Sequence, residues 1–283
     1  MNALELTGLI TVSAFAAGFL GALTGLGGGV VIVPLLTVAF GVDIRYAIGA
    51  SLICVIATSS AAAVAYVKQR LTNIRVGIFL EVATTVGAVV GAWLGTRSPT
   101  AAIAIVFGCV LLFSAYQSVR ARDPSLGLAT SVSGDSLGSR LRLDSTYPAA
   151  GGSEQWYFVQ RVPLGFALMF VAGILSALLG IGSGAVKVLA MDRAMGLPFR
   201  VSTTTSNFMI GVTAAASVGF YLRGGYIDPE LAMPVVLGVA AGAFLGARLL
   251  QRIAVPLARR IFAILVVALG VEMIYQALTG RIA

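Results

Sequence analysis

Apolar blocks of about 18 to 22 residues recur along this chain between short polar or basic joints, the length that crosses a bilayer core. Ten such segments can be drawn, at 7–25, 28–41, 47–67, 76–96, 101–119, 162–180, 184–197, 203–222, 231–250 and 257–278. The second and seventh have only 14 residues each, less than a comfortable span. Between the fifth and sixth lies RARDPSLGLATSVSGDSLGSRLRLDSTYPAAGGSEQ, rich in Ser, Gly and mixed charge. That composition predicts a solvated, partly disordered linker. The division follows: a first half over 1–119, a linker over 120–161 and a second half over 162–283.

The two halves resemble each other. An offset of 155 residues aligns 17–97 with 172–252 without a gap and gives 23 identities in 81 positions. Gly25, Gly27 and Gly29 fall on Gly180, Gly182 and Gly184; Gly41 falls on Gly196, Arg45 on Arg200, Ser51 on Ser206, Thr58 on Thr213 and Tyr66 on Tyr221. Gly87 and Gly91 fall on Gly242 and Gly246.

Charge then selects a topology. If all ten segments cross with both termini outside, Lys68, Arg70 and Arg75, the linker arginines, and Arg252, Arg259 and Arg260 all face the cytoplasm. This satisfies the positive-inside bias. Were the two short segments re-entrant, the Lys68–Arg75 and Arg252–Arg260 joints would lie on opposite sides. Five spans per half is an odd number, so the halves must be inverted relative to each other. The expected fold is an all-α polytopic membrane protein: ten transmembrane segments in two inverted five-helix repeats, with short broken helices after the Gly-rich motifs. Many secondary transporters are built this way.

Composition agrees: 58% of the 283 residues are hydrophobic, only 11% are charged, and mean hydropathy is +0.98. The net charge of +8 needs no nucleic acid, because the arginines gather at the ends of apolar blocks. Cys54 and Cys109 fall in apolar segments, and no disulfide is expected. The first apolar block lacks the basic flank of a cleavable signal and is expected to be retained. With no histidine in the chain, histidine dyads, triads and zinc sites are excluded, so no metal, cofactor or catalytic residue is expected.

Within the spans, glycines stand four apart at Gly21, Gly25 and Gly29, at Gly87, Gly91 and Gly95, and at Gly238, Gly242 and Gly246. Small residues at this spacing let helix backbones approach closely, and tight packing is their expected use.

The breaks GLGGGVVIVP (25–34) and GIGSGAVKVL (180–189) carry the candidate chemistry. A helix restarting after each would leave its first N–H groups without intrahelical partners, and its dipole favours an anion there. Lys187 sits one turn after the second glycine cluster, where the first half has Ile32. A charge inside a span marks a functional site by default; the alternative is a structural ion pair with Glu81 or Asp192. Glu81 and Glu272, the other charges within spans, read as proton or ion relays, as lysine partners or as interfacial groups. RVSTTTSNFMIG (200–211) adds hydroxyls and an amide. Helix capping accounts for Ser202 to Thr204, whereas Ser206 and Asn207, a turn deeper, serve either a ligand or packing. The first half offers Ser51.

GxGGGxxxxP after the first span, its echo GIGSG, and TTTSNFMIG together resemble the sulfite exporter TauE/SafE family of membrane permeases. The resemblance covers nearly the whole chain outside the linker. It implies a carrier of small sulfur-containing or carboxylic anions, such as sulfite and organosulfonates, in the inner membrane. By position it gives the motif role to Gly27, Gly28 and Gly29 and to Gly182, Ser183 and Gly184, with Ser206 and Asn207 beside them. Two departures stand out: Ser183 replaces a glycine, and Leu189 stands where the first half has Pro34, which predicts a less sharply broken second site.

The leading expectation is therefore a secondary transporter, an exporter of a small anion, working by alternating access between the repeats, with the linker cytoplasmic and both termini outside. Its partners are the anionic substrate and the lipid bilayer, as a monomer or homodimer. An anion channel and a non-transporting membrane assembly subunit are the alternatives, and single-channel currents separate the first of these from a transporter.

Overall fold

In the computed structural model, residues 3–24, 29–68, 72–120, 136–148, 154–249 and 255–281 are described. Each of the ten apolar segments contains a helix. The first half holds α1 (Ala3–Thr24), α2 (Gly29–Pro34), α3 (Ile44–Lys68), α4 (Ile74–Arg97) and α5 (Thr100–Arg120). A short α6 (Ser136–Arg140) and strands β1 (Ser145–Pro148) and β2 (Glu154–Tyr157) follow. The second half holds α7 (Val162–Leu179), α8 (Gly184–Leu189), α9 (Phe199–Arg223), α10 (Pro229–Leu249) and α11 (Val255–Leu278). By length and composition five of these are apolar enough to cross a membrane, at Ile74–Arg97, Thr100–Gln117, Val162–Leu179, Pro229–Gly246 and Arg260–Leu278. The leucines, valines and aromatics on their outer faces are exposed, among them Val82, Trp93, Leu164, Leu237 and Ile264, as a lipid-facing surface requires.

The helices of one half pack mainly on those of the other. α1 lies along α10, and α4 along α7; α5 pairs with α11, and α3 with α9. Exchanging the halves leaves this list unchanged, because the offset of 155 residues turns the first pair into the second. Glycine carries both long contacts. A Cβ at Gly91 would strike the Ile174 carbonyl, and one at Gly87 the Phe170 carbonyl; Gly238 and Gly242 meet the Thr11 and Phe15 carbonyls in the same way. Four of the nine spaced glycines, Gly87, Gly91, Gly238 and Gly242, thus serve backbone approach; Gly95 packs on the Tyr221 hydroxyl, and Gly25 lies outside the described residues.

Part of the linker is folded, while its residues 121–135 and 149–153 lie outside the described residues. Residues 136–148 and 154–161 fold into α6 and an antiparallel hairpin, with Ser145 opposite Tyr157 and Pro148 opposite Glu154, so the protein is not entirely helical. Its inner residues Leu143, Tyr157 and Val159 are buried against Val76, Leu80, Met191 and Met195. These few apolar residues, masked in the sequence by surrounding Ser and Gly, are what order it. Asn73 fastens it: its side chain accepts from Val76 N at 3.1 Å, capping α4, and donates to the Leu143 carbonyl at 2.9 Å and the Tyr157 hydroxyl at 2.7 Å.

Asn73→Ala removes a cap worth about 1 kcal/mol and strands two buried acceptors. An overall loss of about 2 kcal/mol is expected, read as a lower melting temperature and faster proteolysis within 136–160. Burial pushes the Tyr157 phenol up from 10.0 to about 12, against the hydrogen bond from Asn73. A raised phenol contributes stability that is complete below pH 10 and fades as pH rises towards 12, so the clasp holds throughout the physiological range.

Candidate functional site

The second break begins where α7 ends in a left-handed Gly180 (φ 67°), whose N–H reaches the Ser176 carbonyl at 2.9 Å. Gly182 (φ 69°) and Ser183 (φ 41°) are also left-handed. For a serine that conformation costs about 1–2 kcal/mol, and its hydroxyl compensates by donating to the Ala172 carbonyl at 2.7 Å. The chain re-enters a helix at Gly184, with the Val186 and Lys187 N–H groups on the Ser183 carbonyl. After six residues α8 widens into a π-helical stretch, Ala190–Ala194.

The first break follows the same plan. α2 runs from Gly29 to Pro34 and passes into a π-helical stretch, Leu35–Ala39. Gly27 and Gly28 lie outside the described residues. Pro34 does not set the difference expected of it, since α8 makes the same α-to-π transition with Leu189 in its place. Both stretches end alike in a left-handed glycine, Gly41 (φ 64°) and Gly196 (φ 72°). Backbone groups close each exit: Val42 N–H reaches the Leu36 carbonyl and Leu197 N–H the Met191 carbonyl.

The two breaks meet beside α3 and α9. Ser51 of α3 donates to the Gly180 carbonyl at 2.7 Å and lies 3.5 Å from the Gly29 carbonyl. Its counterpart Ser206 of α9 reaches the Gly184 carbonyl at 3.4 Å. A Cβ on Gly29 would sit 2.7 Å from Val55 and 3.3 Å from the Gly180 carbonyl, and one on Gly182 2.7 Å from Ile210. Glycine is required here because two chain segments and two helices converge. Ser51, Ser183 and Ser206 therefore spend their hydroxyls on backbone carbonyls of the break itself. Asn207, beside them, is half-buried.

Lys187 is fully buried (0% exposed), and its Nζ donates to Thr213 Oγ1 of α9 at 2.6 Å. Thr213 stands 2.8 Å from Glu81 Oε1 of α4 and 2.9 Å from the Met209 carbonyl, so its single proton goes to one or the other. Thr85 donates to Glu81 Oε1 at 3.3 Å, while Glu81 Oε2 is buried without a partner. Of the two acids weighed as partners for the lysine, Glu81 is the one brought to it, through the threonine. Glu272 accepts from Gln276 on its own helix α11, which packs on α5 and α1, and does not join this cluster.

Thr213 was missed as a site residue. The signal was present: Ser206 and Thr213 are seven apart, hence on one face of α9, and Thr213 matches Thr58 in the first half. Ser202, Thr203 and Thr204 are not caps. Their hydroxyls bond backwards to the Leu197, Phe199 and Arg200 carbonyls, and Pro198 occupies the capping position.

The profile of the family described as Sulfite exporter TauE/SafE matches residues 10–273, which includes both breaks and the Lys187–Thr213–Glu81 cluster. The chain belongs to that family. It is 27% identical over 278 residues to "Probable membrane transporter protein YunE" of Bacillus subtilis (strain 168), covering 95% of this chain and 98% of the relative. It is 27% identical over 241 residues to YdhB of the same organism, which bears the same description, covering 85% and 89%. A "Probable membrane transporter protein" of Xylella fastidiosa (strain 9a5c) is 25% identical over 273 residues, covering 95% and 94%. No solved structure matches the chain. The family and the names of these relatives indicate a multi-pass membrane transporter rather than an enzyme.

Proposed function

We propose that this protein is a secondary transporter, an exporter of a small anion such as sulfite or an organosulfonate. The observation that carries the reading is Lys187, a fully buried cation one turn into a short helix that restarts at a glycine break. Burying a charge is costly, and such charges in membrane proteins mark substrate or ion pathways. Gly182, Gly184 and Gly29 let the two breaks converge closely on α3 and α9, and in this reading Gly27 and Gly28 of the first break join them in the site. Ser51, Ser183, Ser206 and Asn207 border the same region.

Two features support alternating access. Short interrupted helices occupy corresponding places in the two halves, the arrangement that flanks the midplane site of inverted-repeat carriers. The helix pairings also survive exchange of the halves. In this reading all ten helices cross the inner membrane, the repeats are inverted, the linker faces the cytoplasm and both termini lie outside. The basic joints between segments support that orientation.

The test is a thermal-shift panel of sulfite, sulfate, taurine, sulfoacetate and simple carboxylates on purified protein. A ligand at about a hundred times its Kd stabilises by about 2.7 kcal/mol, a shift of several degrees for a chain of this size. Sulfite and the sulfonates are expected to give the largest shifts. A flat panel would remove the anion-carrier reading.

A further inference from the structure

The charge count at Lys187 has a consequence for what moves with the anion. Lys187 and Glu81 are the ammonium and the carboxylate buried among the described residues, and Thr213 joins them. Of the other buried titratable groups, Cys54 lies on α3, and the Tyr157 hydroxyl, packed near the start of α4, is engaged by Asn73. No other acid or base faces Glu81 among the described residues. On α4 itself the charges are Arg75 and Arg97, near its two ends. On α9 they are Arg200 and Arg223, again at the ends, and the Tyr221 hydroxyl is engaged with the Ala177 carbonyl at 3.0 Å. α7 has no acid or base between Val162 and Leu179. α8 contributes Lys187, and the π-helical stretch after it brings only Asp192 and Arg193, more than a turn beyond the lysine.

With the site empty, the lysine and the carboxylate neutralise each other across the threonine. An anion that docks on Lys187 takes that charge for itself and leaves the carboxylate beside a second negative group in a dry setting. Two like charges so placed do not both stay ionised. Glu81 has a place for the proton that resolves this, because Oε2 is buried with no partner while Oε1 accepts from Thr85 and stands 2.8 Å from the Thr213 hydroxyl.

We propose that Glu81 takes up one proton when a monoanion binds at Lys187, and that anion and proton cross together. The proposal rests on Lys187 being the anion site. The balance is simple: Lys⁺ and Glu⁻ sum to zero when empty, and Lys⁺, anion and the neutral carboxylic acid sum to zero when loaded. Both forms of the carrier are neutral at this centre, which spares the apolar interior a net charge in either direction of travel. Thr213 is the positioning residue: released from Lys187 by the anion, its hydroxyl keeps the carboxyl oriented.

The experiment uses the purified full chain in weakly buffered detergent solution, with methanesulfonate and sulfite as probes. Methanesulfonate stays ionised at all working pH values and brings no proton of its own. A pH-indicator dye is expected to report uptake of about one proton per bound methanesulfonate. Affinity should fall by up to about tenfold per pH unit on the alkaline side of a range from about pH 5.5 to 8.5. Glu81→Gln, which mimics the protonated acid, should bind without proton uptake and with an affinity that no longer depends on pH. Its folding is checked by gel filtration, and the wild-type dye measurement stands without it. Binding by wild-type protein with no proton uptake would overturn the coupling and leave the anion site standing. A pH dependence unchanged in Glu81→Gln would overturn the assignment to Glu81. If neither probe binds the wild type, the anion site and the coupling fall together.

Discussion

Lys187→Met is expected to abolish high-affinity anion binding. The substitution keeps much of the side-chain volume and removes the one cation among the described residues that is fully buried. Hydrogen bonds to charged groups contribute about 1.5–3 kcal/mol, so affinity for the stabilising anion should fall at least about tenfold. Arg140→Ala, at an exposed linker arginine, should change it less than about twofold. Wild-type affinity in Lys187→Met would take the lysine out of the site. Lost folding is the competing explanation, because removing the lysine leaves the Glu81 carboxylate buried without its countercharge. The double change Lys187→Met with Glu81→Gln separates the two. It removes both charges and should recover the melting temperature while still failing to bind. Recovery of binding in the double variant would show that the lysine acts only by holding Glu81.

Much of this was legible in the sequence, for identifiable reasons. Helix positions follow from the run lengths of apolar residues: every expected segment holds a helix, and in the longer ones a bilayer-length apolar run has few other ways to satisfy its backbone. The glycine spacing foretold close helix packing, of the kind seen where Gly91 meets the Ile174 carbonyl. Lys187 was visible as a charge out of place.

What the sequence hid was pairwise. Nothing local says that Lys187 reaches Glu81 through Thr213, residues 26 and 132 apart from that threonine. The hydroxyls of Ser51, Ser183 and Ser206 looked free to meet a ligand, yet each finds a carbonyl exposed by the break, because a helix end supplies acceptors at short range. The folded part of the linker was hidden for a compositional reason: a hairpin held by Leu143, Tyr157 and Val159 needs only a few apolar residues when a helix end supplies the rest of the core.

Gly91→Leu is expected to give a loss of stability among the largest of any single change outside the site. A Cβ there meets the Ile174 carbonyl, and one at Gly87, a turn earlier, meets the Phe170 carbonyl; from the other side a Cβ at Gly173 meets the Thr84 carbonyl. These are backbone obstacles, which no rotamer change relieves, so α4 and α7 must separate along their length. Overpacking costs about 1–3 kcal/mol in ordinary cores and more when the backbone has to move. The expected readout is a melting temperature lower by many degrees and little monodisperse protein on gel filtration. Gly219→Ala is the control: a Cβ there has nothing within 4 Å, and replacing a mid-helix glycine should stabilise by about 0.5–1 kcal/mol. The same logic reaches function, because α4 carries Glu81 and α7 leads into the Gly180 break, so this contact sets the distance between the acid and the lysine. Gly242→Leu, whose Cβ would strike the Phe15 carbonyl in the equivalent contact of α10 with α1, should lower stability by a similar amount. Since α10 has no counterpart of Glu81, its effect on anion binding at equal temperature below melting should be the smaller of the two. Equal losses of binding in both variants would mean that the glycine contacts hold the bundle together without tuning the site.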